Sequence, residues 1–331
     1  MSDATVIASR QGRIGHILMN RPKALNALDL EMIRAMAAAL SEWAEDPAVH
    51  AVVVEGAGGR AFCAGGDIRA IRAAALAGER GVIEAFFAEE YALNAMIDAY
   101  PKPYVALIDG VCMGGGIGVS VHGDMRVTSE AGLFAMPETA IALFPDVGAT
   151  FMLPRLPGEL GMYLGLTGAR LGGADAVHAG IATHFVPKAK LAGLKDAIAA
   201  DGVAAVAAAA ESLPAFSLAP HRAAIDRCFG QDSVAGIIAA LEAEGTEWAR
   251  ETLHELHSVS PSAVMWTFAA LKRGATLDLK AALAVELRLT RHVAFHPDFA
   301  EGVRAMLVDK DRTPRWAPAL DQAALAAMLT A

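Results

Sequence analysis

Tyr104-Val-Ala-Leu-Ile-Asp-Gly-Val-Cys-Met-Gly-Gly-Gly-Ile-Gly118 joins a short apolar run, a turn and a glycine triplet. Tyr104–Ile108 has the length and β-branched content of a buried strand. Asp109-Gly110 reads as a turn, and the glycines from Gly114 on open an apolar helix. Glycines at that place leave unencumbered N–H groups at a helix start, where the macrodipole favours developing negative charge. The same glycines also suit the close packing of a helix on a strand, so this stretch alone leaves both uses open.

A second cluster, Gly56-Ala-Gly-Gly-Arg-Ala-Phe-Cys-Ala-Gly-Gly-Asp67, follows the strand signal His50–Glu55. Gly56, Gly58 and Ala61 fit the spacing of a dinucleotide fingerprint. That fingerprint must open a helix at once, whereas Arg60–Gly66 reads as strand or loop until Ile68, which disfavours a dinucleotide fold. Two glycine clusters, each at a strand end, can aim two N–H donors at one carbonyl oxygen, the design of an oxyanion hole.

Further out, Val6–Ser9 and His16–Met19 form a hairpin signal about Gly12, and Asn20–Asn26 is a loop. Helical periodicity marks Leu30–Trp43, with Asp29 as N-cap, then Ile68–Leu76 and Val82–Ala99. Met125–Thr128 and Leu133–Ala135 are strands, and Leu160–Thr167 and Ala174–Ala179 are helices either side of a turn at Leu171–Gly173. Leu191–Ala210 is alanine-rich and helical, and helices continue to the end. A boundary is expected near residue 190, with 1–190 an α/β core bearing the site and 191–331 a helical region packed on it.

The 331 residues suffice for one large core, and 54% hydrophobic against 20% charged residues is a globular balance. A net charge of −9 argues against a nucleic-acid partner but leaves room for an anionic small molecule held by backbone N–H groups. Three scattered cysteines fit neither a disulfide framework nor a zinc site, and they suit a reducing compartment. No secretory or transit pattern opens the sequence and no apolar run reaches the ~18 residues of a membrane span, so a cytoplasmic protein is expected.

Asn20-Arg-Pro-Lys-Ala-Leu-Asn-Ala-Leu28, Phe62-Cys-Ala-Gly-Gly-Asp-Ile68 and Gly110-Val-Cys-Met-Gly-Gly-Gly116 resemble the three signature blocks of the enoyl-CoA hydratase/isomerase (crotonase) superfamily. The resemblance implies an α/β fold of the crotonase (ClpP-like) type, a spiral of ββα units with a helical C-terminal region. It implies an acyl-CoA ligand, CoA being part of the substrate, and no separate cofactor or metal. Lys23, Ala24, Ala64, Asp67 and Ile68 fall on CoA-contact positions, and Gly66 and Gly115 on the two oxyanion-hole positions. The hydratases use two glutamates. One corresponds to Glu138, while the other's place is taken by Gly118, which disfavours a simple hydratase.

Glu138 and Asp146 stand eight positions apart in Met136-Pro-Glu-Thr-Ala-Ile-Ala-Leu-Phe-Pro-Asp146, each directly after a proline in apolar surroundings. Ionised carboxylates are costly there unless partnered or used. Phe134–Gly148, Gly118–Gly123, His178–Val186, Phe86–Tyr91 and Glu301–Asp311 together resemble the 3-hydroxyisobutyryl-CoA hydrolase family over nearly the whole chain. That implies thioester hydrolysis in valine breakdown. Glu138 is then nucleophile or general base, Asp146 holds the substrate 3-hydroxyl, and Glu90 helps read it. Other reactions of the superfamily, and a non-catalytic CoA-binding module, are the alternatives; a homo-oligomer fits the superfamily's habit. His254 and His257 lack metal spacing, Ser120 lacks a nucleophile elbow, and Cys63 and Cys112 read as small buried hydrophobes.

Overall fold

The computed structural model describes residues 4–330. The described chain divides into two compact units drawn from interleaved segments. Unit 1 takes the chain up to Gly66, Glu89–Phe134 and Arg170–Ser217; unit 2 takes Asp67–Ala88, Ala135–Ala169 and the chain from Leu218 on. The boundary expected near residue 190 falls inside a segment of unit 1.

Unit 1 opens with β1 (Val6–Gln11) and β2 (Ile14–Met19), antiparallel about a turn with Gly12 at φ 60°. Then come α1 (Leu30–Glu45), β3 (Ala51–Gly56) and β4 (Ala61–Cys63). The helix α2 (Ile68–Leu76) belongs to unit 2, and α3 (Arg80–Asp98) enters unit 1 at Glu89. Next follow β5 (Tyr104–Ile108), β6 (Val111–Met113), α4 (Gly115–Val121), β7 (Met125–Thr128) and β8 (Leu133–Ala135). The short strands β9 (Leu171–Gly172) and β10 (His184–Phe185) complete the set.

The strands deal out alternately. One sheet runs β1-β2-β3-β5-β7-β10 and the other β4-β6-β8-β9. From β3 onward each turn of chain gives one strand to each sheet, which is the ββα spiral that the resemblance implied. In the larger sheet β2, β3, β5, β7 and β10 are parallel, with Val53 opposite Val105 and Leu107 opposite Val127. Parallel strands are covered on their faces, which explains why Val52, Val53, Val54 and the whole of β5 are buried. Leu191, Leu194 and Ile198 on the helix Lys188–Asp201 pack against Val53, Val105 and Val127 from one side. The alanine-rich helical stretch 191–210 consists of two helices, since Gly202 with φ of 80° closes the first before Ala204–Ala209 begins.

Unit 2 is helical. From Leu218 on, no strand occurs among the described residues. Its helices start where small polar residues cap them: Ser233, Thr246, Ser260 and Asp278 each accept from the N–H three residues on. Trp266, fully buried, donates its indole N–H to the Leu143 carbonyl at 2.9 Å. That bond ties the helix Pro261–Gly274 to the loop between Glu138 and Asp146.

Candidate functional site

In unit 1 the three sequence blocks meet. Ala64 N–H donates to Leu25 O at 3.0 Å and Leu28 N–H to Gly65 O at 2.8 Å, so the first block pairs with the second. Asn26, fully buried at φ 57°, fastens that loop. Its side-chain amide donates to Ala57 O and Ala61 O, both at 2.9 Å, and its Oδ1 accepts from Arg21 N–H at 3.0 Å. A positive φ suits Asn better than most residues. In the sequence Asn26 reads only as part of a loop, and nothing there signals its fastening role.

The second and third blocks lie close enough that only glycine fits. A methyl group built on Gly116 would lie 2.2 Å from the Cys63 carbonyl oxygen. One built on Gly115 would lie 3.4 Å from the Gly66 nitrogen, 3.2 Å from Leu28 Cδ1 and 2.5 Å from Glu90 Oε1. Gly116 thus permits close packing, while Gly115 sits beside Gly66. Among the described residues, neither the Gly66 nor the Gly115 N–H donates to a backbone carbonyl. Gly115 owes this to its place as first residue of α4. Two N–H donors next to each other, with a buried carboxyl from α3 beside them, can hold one carbonyl oxygen and approach its acyl group.

Of the residues expected to touch CoA, Lys23 and Ala24 form an exposed 3-10 turn, Pro22–Ala24, and Ala64 is half-buried beside the pair of glycines. Asp67 and Ile68 begin α2, and the Asp67 carboxylate accepts from Ala70 N–H at 3.4 Å as its N-cap. Cys63 is fully buried and its thiol is pushed up to about 12, mainly by desolvation, so no thiolate is available at neutral pH. Cys112 is shifted the same way for the same reason. Ser120 lies within α4 and donates its hydroxyl back to Gly116 O at 2.8 Å, which leaves it no nucleophile's role.

Unit 2 carries the other carboxyl groups. Glu138 opens a 3-10 helix, Glu138–Ile141, and is 6% exposed; Ala142 at φ 52° ends that helix. Gly168, at φ 64°, lies against the backbone of Pro137, the residue before Glu138. Asp146 is 5% exposed and starts a tight turn: Ala149 N–H donates to its carbonyl at 2.8 Å. Val147 and Gly148 in that turn have φ 53° and 84°.

Next to Asp146 stands a carboxyl that sequence reading did not single out. Glu286, on the helix Leu279–Val293, is fully buried and accepts from Gly148 N–H at 2.8 Å, Thr150 N–H at 3.0 Å and the Thr150 hydroxyl at 2.5 Å. Burial first, then the negative charge of Asp146, raises its carboxyl to about 8, against the pull of those hydrogen bonds. Its only signal in the sequence is a Glu at a position where the helix otherwise turns Leu283, Leu289 and Val293 inward.

His254 and His257 are exposed on the helix Glu247–Ser258, and no group of three potential metal ligands occurs among the described residues. No helix among them is long and apolar enough to cross a membrane.

A family profile described as enoyl-CoA hydratase/isomerase matches residues 14–330. A protein of Xenopus tropicalis named 3-hydroxyisobutyryl-CoA hydrolase, mitochondrial, is 48% identical over 97% of this chain and 86% of its own length. The human protein of that name is 45% identical over 95% of this chain and 84% of its own. Among solved structures, one described as a carnitinyl-CoA dehydratase from Mycobacterium thermoresistibile superposes with a TM-score of 0.95 at 42% identity, covering 99% of this chain and 97% of that one. Another, described as an enoyl-CoA hydratase from Rhodobacter sphaeroides, gives 0.93 at 40%, covering 98% and 97%.

The expected cytoplasmic location is corrected by these relatives, which are named as mitochondrial proteins. The error has a physical source. Three buried free thiols and an acidic net charge suit any reducing compartment and cannot choose between two of them. Together, the alternating two-sheet spiral, the profile match and the full-length relatives show that the chain belongs to the enoyl-CoA hydratase/isomerase family.

Proposed function

We infer that the chain hydrolyses the thioester of 3-hydroxyisobutyryl-CoA, giving 3-hydroxyisobutyrate and CoA as a step of valine breakdown. The observation that carries this reading is the 44–48% identity, across almost the whole chain, to vertebrate proteins that bear the hydrolase name.

The residue roles are those the family resemblance implies, and each is chemically reasonable. In our reading, the Gly66 and Gly115 N–H groups stabilise the charge that develops on the thioester oxygen, and Glu138 acts on the carbonyl carbon. If Glu138 is the nucleophile, its oxygen adds, the C–S bond breaks, and water then cleaves the mixed anhydride; if it is a base, it takes a proton from the water that adds directly. Either way one water is consumed and the CoA thiol leaves protonated. Asp146 hydrogen-bonds the substrate 3-hydroxyl and fixes the acyl group for attack, and Glu90 helps read the same hydroxyl. The exposed turn at Lys23–Ala24, with Ala64, Asp67 and Ile68, lies along the CoA.

A second reading, addition or removal of water at a double bond, is favoured by the descriptions of the two solved structures at 42% and 40% identity. Against it, positions 110–123 contain no Asp or Glu, so the second carboxylate of a hydratase has no counterpart there. A thiol-release assay separates the two. We expect CoA release from 3-hydroxyisobutyryl-CoA; hydration of crotonyl-CoA with no thiol release would overturn the assignment.

A further inference from the structure

The turn that carries Asp146 is held in a conformation its own sequence does not favour. Ala149 N–H closes it on the Asp146 carbonyl, and both middle residues have positive φ, the pattern of a type I′ turn. Gly148 meets that demand without strain, but Val147 is β-branched and is an outlier at φ 53°. Such a residue persists only where its surroundings over-determine it.

Glu286 supplies that constraint. Its Oε2 accepts from Gly148 N–H inside the turn, and its Oε1 accepts from both donors of Thr150 just after it. All three donors lie within four residues of Asp146, while Glu286 lies 136 to 138 residues from those donors in sequence. A carboxyl suits this place because both of its oxygens accept from the backbone donors and, when it is protonated, its one proton can lie along the contact with the Thr150 hydroxyl, whereas an amide would turn an N–H toward one of the donors. Burial pushes its titration up to about 8, toward the uncharged form, which lessens the negative charge set beside Asp146.

We propose that Glu286 is a positioning residue that clamps the Asp146–Ala149 turn so that Asp146 meets the substrate 3-hydroxyl, and thereby sets the preference for hydroxylated over plain acyl groups. The proposal rests on the assignment of Asp146 to that hydroxyl. Its role is through Asp146 and not in contact with the reacting atoms.

The test compares kcat/KM for 3-hydroxyisobutyryl-CoA and isobutyryl-CoA in the full chain and in Asp146→Asn, Glu286→Gln and the double variant, with thermal unfolding as a control. Glu286→Gln turns an N–H toward a backbone N–H and should lower kcat/KM for the hydroxylated substrate about 10- to 100-fold while changing isobutyryl-CoA by less than about 3-fold. In the Asp146→Asn background the same change should add less than about 2-fold, because residues that act as a unit are not additive. Equal losses on both substrates, or full additivity, would overturn the clamp. If Asp146→Asn leaves the preference for the hydroxylated substrate intact, the Asp146 assignment fails first and takes this proposal with it. Should Glu286→Gln not fold, Thr150→Val removes only the hydroxyl donor and must show the same selectivity loss in weaker form; unchanged selectivity there overturns the proposal.

Discussion

Under the proposed mechanism the chemistry depends most on Glu138 and Gly115. Glu138→Gln keeps the shape of the side chain and removes both its nucleophilicity and its basicity, so kcat should fall by roughly 10³-fold or more with little change in thermal stability. A single turnover in ¹⁸O-water, followed by mass spectrometry of the peptide that contains Glu138, separates the two routes: label appears in the carboxyl only if an anhydride forms. Gly115→Ala drives a methyl group to 2.5 Å from Glu90 Oε1 and toward the Gly66 nitrogen. It should lower kcat at least about 10-fold by displacing one donor of the pair, an effect read in steady-state thiol release. Cys63→Ala should leave kcat within about 3-fold, since a fully buried thiol pushed up to about 12 supplies no thiolate. Glu138 and Asp146 stand out in the sequence because each follows a proline in an apolar stretch, where a carboxylate needs a reason, and both are buried. Glu286 does not stand out, because a lone Glu among the charged residues of a C-terminal helix looks like a solvated one. Only contacts with residues 148 and 150 give it meaning.

At the scale of elements, local signals were strong wherever a cap or a tight run defined the ends. Asp29 accepts from Met32 N–H at 2.9 Å and starts α1 where the sequence placed it. Tyr104–Ile108 is a strand to the residue, because an apolar run closed by Asp109-Gly110 leaves no other end. The spiral itself was readable only through the resemblance to a family. Its pairings join β3 to β5 and β5 to β7 over long stretches of chain, and periodicity carries no record of partners. The C-terminal elements of unit 2 show the same limit. Helix Pro297–Val303 passes so near the 3-10 helix of Glu138 that a methyl group on Gly302 would lie 2.7 Å from the Ile141 carbonyl carbon and 2.9 Å from the Trp316 ring. Gly302→Ala should therefore destabilise the fold by about 1–3 kcal/mol, as overpacking does, and lower kcat together with it by shifting the Glu138 turn. Chemical denaturation and steady-state kinetics on the same variant check both parts. Wild-type kcat in a destabilised Gly302→Ala would show that the Glu138 turn does not depend on this contact.

The whole molecule binds two buried or anchored carboxyls whose titrations run in opposite directions, and its stability against pH should report both. Glu301 is bonded by Arg304 at 2.9 Å and by the Arg315 N–H at 2.8 Å; the Arg304 hydrogen bonds hold its carboxyl at about 2, below the ordinary 4.5. Its stabilisation is thus fully present above 4.5 and is lost as pH falls through about 2. The same guanidinium also takes Asp309 at 2.7 Å and Asp311 at 2.6 Å, so the Asp309-Lys-Asp311 run is a salt-linked segment. Glu286 has the reverse sign. Its carboxyl rises to about 8 on folding, so the folded state keeps a proton that the unfolded chain releases near 4.5. The stabilisation it gives is full below 4.5 and is lost as pH rises through about 8. Urea titrations at a series of pH values on wild type, Glu301→Gln and Glu286→Gln should show this opposition. The gap between wild type and Glu301→Gln closes on the acid side, between about 4.5 and 2, while the gap to Glu286→Gln narrows on the alkaline side, between about 4.5 and 8. A Glu286→Gln gap that widens with rising pH would mean that the buried carboxyl is ionised in the folded protein, and that the hydrogen bonds from Gly148 and Thr150 outweigh its desolvation.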